Sequence, residues 1–293
     1  VFLLLYSMYK QTVESRMTTL ITGQLNKMVS LLDNSDNVSY FLPSSGKDVS
    51  LNEKEAEENI SLNALIGSEI TLKHTGNIFC IGCGSETEKT YSQGYCKTCH
   101  ETLARCDSCS IKPEKCHYHE NTCREPSWGE ANCLTPHIVY LSYTSGYKVG
   151  ITRQQNIPHR WIDQGAGLAI PMFRVDERLL SGLVEEVFKE FVADKTNWRT
   201  MLMSDEIPTH EEMQAKANEL CELAKSQVEM IQLKFGKNTI ERLNHEKPQE
   251  LHYPLPTKRP FEKVGMPHNL DKKPELSGVF HGIKGQYLYV GST

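Results

Sequence analysis

The chain has 293 residues, 39% hydrophobic and 24% charged, which is ordinary for a soluble globular protein and enough for two or three domains with modest cores. Its net charge of −5 excludes whole-chain electrostatic steering toward nucleic acid, so such a partner must meet a local basic patch. No stretch approaches the ~18 consecutive apolar residues of a membrane span, so no membrane partner is expected.

The opening VFLLLYSMYKQ carries an apolar run shorter than the core of a secretory signal, about 7–15 residues. No basic region precedes it and no small-residue cleavage site follows. Residues 1–16 therefore read as a leader or an over-extended start, with a more typical pattern beginning at Met17, and the cytoplasm is the expected compartment. Residues 17–79 read as a β-domain. TTLITGQL, VSYFLP, DVSL and SEITLKHTGNIF alternate apolar and polar residues, with a turn signal at Ser44-Ser45-Gly46. The charged run NEKEAEEN at 52–59 suits a solvated loop or short helix.

Residues 80–134 hold nine of the ten cysteines in closely spaced positions and little apolar periodicity. Tight Cys-x-x-Cys pairs in a chain of this size favour metal and a reducing compartment over a disulfide framework. The hooks Cys80/Cys83 and Cys96/Cys99, twelve residues apart, match a zinc-ribbon-like module, and Gly82, Gly84 and Gly94 suit the turns around them. A segment so poor in apolar residues needs the metal to fold. A second zinc is expected on Cys109, Cys116, Cys123 and Cys133, with Cys106 and His119 as substitutes. Only Cys and His candidates are present in both sets, which argues for structural zinc. CREPSWGE, with Arg124 and Trp128, reads as a loop between ligands that either touches nucleic acid or packs on the next domain.

Residues 135–206 return to regular structure. HIVYLSY, the turn Thr144-Ser145-Gly146 and YKVGIT form a hairpin-like unit, followed by helices around 158–164 and at 178–193. Within 207–244, the clearest helix runs over 209–235. Thr209 and Glu212 form a capping-box pair, Met213, Ala217, Leu220, Ala224, Val228, Ile231 and Phe235 recur at helical spacing, and Gly236 ends the run. Cys221 falls inside it as a plain buried thiol. Residues 245–274 are Pro- and Lys-rich and irregular, and SGVFHGIKGQYLYVGS closes the chain as strands within a C-terminal segment at 245–293. A loose echo between GQLNKM and GVFHGIKGQYL suggests that the two terminal β-segments pair in space.

The stretch HIVYLSYTSGYKVGITRQQNIPHRW resembles the GIY-YIG nuclease superfamily. IVY at 138–140 stands in place of Gly-Ile-Tyr, KVG at 148–150 in place of Tyr-Ile-Gly, then Thr152 and Arg160 follow. The wider arrangement, from about residue 20 onward, is similar to the bacterial family called domain of unknown function 2797. The resemblance implies a divalent-metal-dependent phosphodiesterase acting on DNA or RNA. Tyr140 would orient the water, Lys148 and Arg160 would stabilise phosphate charge, and a helix glutamate would bind Mg²⁺ or Mn²⁺. Lys148 replaces the family's second tyrosine. Leu180, Leu183, Val184, Val187, Phe188 and Phe191 define a buried stripe; Glu185 flanks it and is preferred over Glu186, which lies farther round.

Tyr143, Tyr147, His159 and Trp161 lie near Lys148, Arg153 and Arg160, a mix that suits base stacking and backbone grip, or simply half-buried rings and solvated charges. The expected architecture is α+β: an N-terminal β-domain, a zinc-ribbon-like module, a GIY-YIG-like α/β domain, and a C-terminal helix and strands. Two other readings stand beside the nuclease: a non-catalytic zinc-containing nucleic-acid-binding protein and a zinc-stabilised protein-interaction scaffold.

Overall fold

A computed structural model describes residues 27–42, 60–92, 94–192, 194–257 and 265–291. The readings of residues 1–16, TTLITGQL, DVSL and NEKEAEEN fall outside the described residues. The fold is α+β, in two compact units: residues 1–77 with 251–293, and residues 78–250.

The first unit holds two small antiparallel sheets. One has the order β1 (Val29–Leu32), β2 (Val38–Leu42), β3 (Ile60–Ser61). In the other, β4 (Glu69–Lys73) pairs with β10 (Glu275–Lys284), which pairs with β11 (Tyr287–Gly291). The C-terminal strands thus return to the N-terminal β-segment, with Glu275 opposite Lys73 and Val279 opposite Glu69. Of the GQLNKM echo only Lys27 and Met28 are among the described residues, and they lie outside the ladder. There Gln286 instead clamps one backbone unit, its Oε1 accepting from Met28 N at 3.0 Å and its Nε2 donating to Met28 O at 3.2 Å. Tyr40, Phe280 and Ile283 are fully buried in this unit.

The second unit begins with the cysteine-rich segment, a chain of single turns and two short helices, α1 (Lys97–Thr102) and α2 (Pro126–Asn132). CREPSWGE is therefore not a loop. Pro126 opens a helix at the first position, where its missing N–H costs no intrahelical bond, and Gly129 packs against Tyr118 and Cys123.

The rest of the unit is built on an antiparallel sheet in the order β6 (Tyr147–Arg153), β5 (His137–Tyr143), β7 (Leu168–Val175), β8 (Ile240–Arg242), with β9 (Gln249–Glu250) also on β7. β5 is central, and His137 through Ser142 are all buried, as expected of a strand covered on both faces. Between β6 and β7 comes α3 (His159–Asp163). After β7 come α4 (Arg178–Phe188), α5 (Trp198–Met203) and α6 (His210–Phe235).

Val139, Leu141 and Val149 join Leu180, Val184 and Phe188 of α4 and Met213, Leu220 and Ala224 of α6 in one core cluster. The capping box at Thr209 and Glu212 is present, and Gly236 follows the last helical residue. Cys221 is buried in this helix. α4 is shorter than the periodicity indicated, ending at Phe188, and Phe191 is 37% exposed. A Cβ on Gly182 would lie 2.3 Å from Glu114 N, so α4 rests backbone-to-backbone on the 113–115 turn of the cysteine-rich segment.

Candidate functional site

Cys80, Cys83, Cys96 and Cys99 converge, their Sγ atoms all within 4.8 Å of one another. The turn after Cys80 is closed by Gly84 N donating to Cys80 O (2.8 Å), with Gly84 at φ +73°, where a side chain would be strained. Cys96 sits at the cap of α1 and Cys99 inside its first turn. Gly82 N and Cys96 N both donate to Cys80 Sγ, at 3.3 and 3.2 Å. Burial opposes the Cys80 thiolate, but the N–H groups of Cys96, Cys83 and Gly82 outweigh it and bring the thiol down to about 6. Cys99 goes the other way, to about 12, through burial and the neighbouring thiols. Four soft sulfur donors with backbone N–H groups aimed at one of them fit a zinc ion.

The later cysteines are gathered differently from the expected set of four. The Cys116 and Cys133 thiols act on each other, which lowers Cys116 to about 6 and raises Cys133. Cys109 instead comes together with Asp107 and His117, their ligand atoms within 4.8 Å of one another. Among the described residues, this and the first four cysteines are the two groups with ligand spacing. Cys106 is in neither group, and His119 Nε2 is taken by Glu177 Oε2 at 2.7 Å. The reason lies in the chain path: single turns at Ser108–Ser110 and Pro113–Lys115 turn Cys109 toward His117, while Cys133 ends α2.

On the sheet, Tyr140 pairs with Gly150 and Ser142 with Lys148, so by strand alternation Tyr140 and Lys148 share a face. Tyr140 is 0% exposed, its ring edge-on to Trp161 at 5.9 Å. Its hydroxyl lies 2.9 Å from the Gln164 amide, which donates to it when oriented so that the amide oxygen accepts from Arg160 (3.2 and 3.3 Å). Burial pushes the Tyr140 hydroxyl up to about 12 against the pull of Arg160. That hydroxyl is shut off from solvent and meets the Gln164 amide instead. Arg160, by contrast, is exposed on α3.

Lys148 is buried, with its Nζ 3.4 Å from Thr196 Oγ1. Burial and Arg160 bring its ammonium down to about 8, opposed by Glu185 and Asp194. Glu185 is raised, chiefly by burial and against Lys189. Its side chain is 14% exposed, that of Glu186 48%. One ammonium, Lys189 Nζ, faces three carboxylates: Glu186 at 2.6 Å, Glu185 at 3.6 Å and Asp194 at 3.8 Å. Tyr140 and Lys148 therefore each lie within electrostatic reach of both Arg160 and Glu185.

Gln164, Asp194 and Thr196 join this cluster without having been singled out by the sequence. Trp161 is 2% exposed and offers no stacking face, and Tyr143 and Tyr147 pack edge-on against each other at 5.2 Å. Arg124 binds Asp107 (2.7 Å) and the His100 carbonyl (3.1 Å), tying α1 to the later cysteines. Among the described residues no helix is long and apolar enough to cross a membrane.

The fold and these clusters define an α+β protein with a four-cysteine group able to hold a metal ion. The chain belongs to the family described as "Protein of unknown function (DUF2797)", whose profile matches residues 67–292. No curated protein and no solved structure matches it.

Proposed function

We propose that this protein is a divalent-metal-dependent phosphodiesterase acting on nucleic acid, with the hairpin sheet as its catalytic part and zinc as a structural staple. The observation that carries this reading is the exposed Arg160, held by Gln164 and Tyr140 within electrostatic reach of a desolvated Lys148, which Glu185 in turn reaches. Arg160 would grip a phosphate through paired hydrogen bonds. Lys148, whose proton is only loosely held, would stabilise charge developing on the phosphate oxygens. Glu185, with Asp194 beside it, would hold Mg²⁺ or Mn²⁺, since hard carboxylate oxygens suit those ions. The bound ion would supply charge neutralisation and water activation at the phosphate. Tyr140 would keep Gln164 and Arg160 in place. The thiol-rich segment fits a reducing compartment, which supports the cytoplasm.

A second reading, a zinc-containing module that binds nucleic acid without cleaving it, is favoured by the complete burial of Tyr140, which removes the hydroxyl from contact with water. Labelled single-stranded, duplex and branched DNA and RNA, incubated with Mg²⁺ or Mn²⁺, separate the two. Cleavage by the wild type that Arg160→Ala and Glu185→Ala both abolish supports the enzyme. No cleavage, with salt-sensitive binding retained, supports the binding module. Neither cleavage nor binding would leave zinc-stabilised protein contacts as the remaining reading.

A further inference from the structure

We propose a second zinc-type metal site with a mixed ligand set, Cys109 Sγ, His117 Nε2 and an Asp107 carboxylate oxygen. It is separate from the four-cysteine cluster and independent of the phosphodiesterase reading. The ligand atoms of all three residues lie within 4.8 Å of one another.

The hydrogen bonds around His117 set its ring. Thr122 Oγ1 donates to the His117 carbonyl at 3.2 Å, which uses the only hydroxyl proton. The same oxygen lies 2.7 Å from His117 Nδ1, and it accepts from that nitrogen in the tautomer that leaves Nε2 unprotonated. A neutral ring then carries its lone pair on Nε2, and Nε2 is the atom 3.6 Å from Asp107 Oδ2. An imidazole lone pair, a carboxylate oxygen already paired with Arg124 and a thiol face one another as a nitrogen, oxygen and sulfur donor set. A proton serves one pair only, whereas a borderline-soft divalent ion accepts nitrogen, oxygen and sulfur together.

The surroundings have the form of an outer ligand shell. The far nitrogen of the histidine is held by a hydroxyl, Ser108 Oγ donates to Asp107 Oδ1 at 3.1 Å, and Arg124 Nε forms an ion pair with Asp107 Oδ2 at 2.7 Å. Three protein ligands leave one tetrahedral position open, and Cys109 itself lies within electrostatic reach of Cys116 and Cys123. The site also lies under the helix that carries Glu185. Arg178, the first residue of α4, donates from its side chain to Ser110 O at 2.7 Å and from its backbone to Cys133 O at 2.8 Å. A metal here would fix the floor on which α4 rests.

The test is metal content and coordination of the full chain purified with zinc. The expected wild-type content is two zinc ions per chain, falling to one in Asp107→Asn and in His117→Gln, while Cys80→Ser loses the other ion. Because a variant can fail to fold, zinc-edge X-ray absorption on the wild type gives a reading that needs no substitution. The mixed site predicts nitrogen or oxygen scattering and an average of about 2.5 sulfurs per zinc. One zinc per chain, or two with an all-sulfur shell, overturns the proposal. So does a second ion kept by Asp107→Asn and His117→Gln but lost from Cys116→Ser, which would return the site to the cysteines alone.

Discussion

The Tyr140 ring lies directly across Gly150 on the neighbouring strand, so close that a Cβ on Gly150 would stand 2.6 Å from the Tyr140 hydroxyl oxygen. The glycine of the KVG triplet is thus a packing requirement of the tyrosine of IVY. Gly150→Ala should cost about 1–3 kcal/mol of stability, because the ring is sealed by Trp161 and cannot swing aside. It should also release Arg160 by displacing Gln164. Urea unfolding reads the first effect and near-ultraviolet circular dichroism the second. A variant as stable as the wild type, with an unchanged aromatic spectrum, would contradict this packing.

Chelation should unravel the segment around Cys80–Cys99, because its turns bury little apolar surface and the metal supplies its folding energy. Ile81 and Tyr91 are exposed, and Cys80 and Cys99 are the buried residues among the hooks. Trypsin should cut at the exposed Lys89 and Lys97 after chelation and not before it. Protection that survives removal of the metal would mean that the thiols alone hold the fold.

What the sequence disclosed depended on range. Helix α6 was legible because its signal is local: a capping box, a seven-residue apolar series and a terminal glycine. The pairing of β4 with β10 joins residues about two hundred apart, and no local pattern encodes it. β8 and β9 are three and two residues long, too short for alternation to register. α5 is a six-residue helix whose only local mark is Asn197, which caps it by accepting from Arg199 N and Thr200 N.

In the candidate site, Glu185 could be separated from Glu186 because helical period sets burial. Gln164 could not be found, since a neutral amide carries no motif of its own. The partners of Cys109 were hidden for a related reason. Cys-x-x-Cys spacing draws attention to sulfur, and Asp107 and His117 reach the thiol through two successive turns.

Lys148 provides a test in pH. Its ordinary value of 10.5 falls to about 8 in the folded protein, so between those values the unfolded chain binds more protons than the folded one. Stability contributed by this group therefore rises with pH across that window. Below about pH 8 both states are protonated and the folded state carries the full cost of a buried ammonium, on the order of 3 kcal/mol. Lys148→Met removes that cost, so the variant should exceed the wild type in stability most at pH 7 and converge with it toward pH 10. Urea midpoints of both proteins across this range give the answer, and a gap that does not change with pH would show that Lys148 is not desolvated as described.

Lys189 is the natural competitor of any divalent cation at Glu185, since its ammonium already sits among Glu185, Glu186 and Asp194. Two positive charges cannot share that space without repulsion, so the ion must displace the lysine or bind weakly beside it. Lys189→Met should therefore tighten Mn²⁺ binding by about tenfold, equivalent to 1.4 kcal/mol. Removing Lys189 also takes away what holds the Glu185 pKa down against burial, so the carboxyl is raised further in the variant. The comparison belongs at pH 8, where ionisation of Glu185 is less of a confound. Glu185→Gln should abolish the binding in either background, because the amide offers no charge to the metal. Titration calorimetry on zinc-loaded protein measures both effects. Equal Mn²⁺ affinity in the wild type and Lys189→Met, or binding that persists in Glu185→Gln, would take Glu185 out of the metal role and leave its pairing with Lys189 as a structural ion pair.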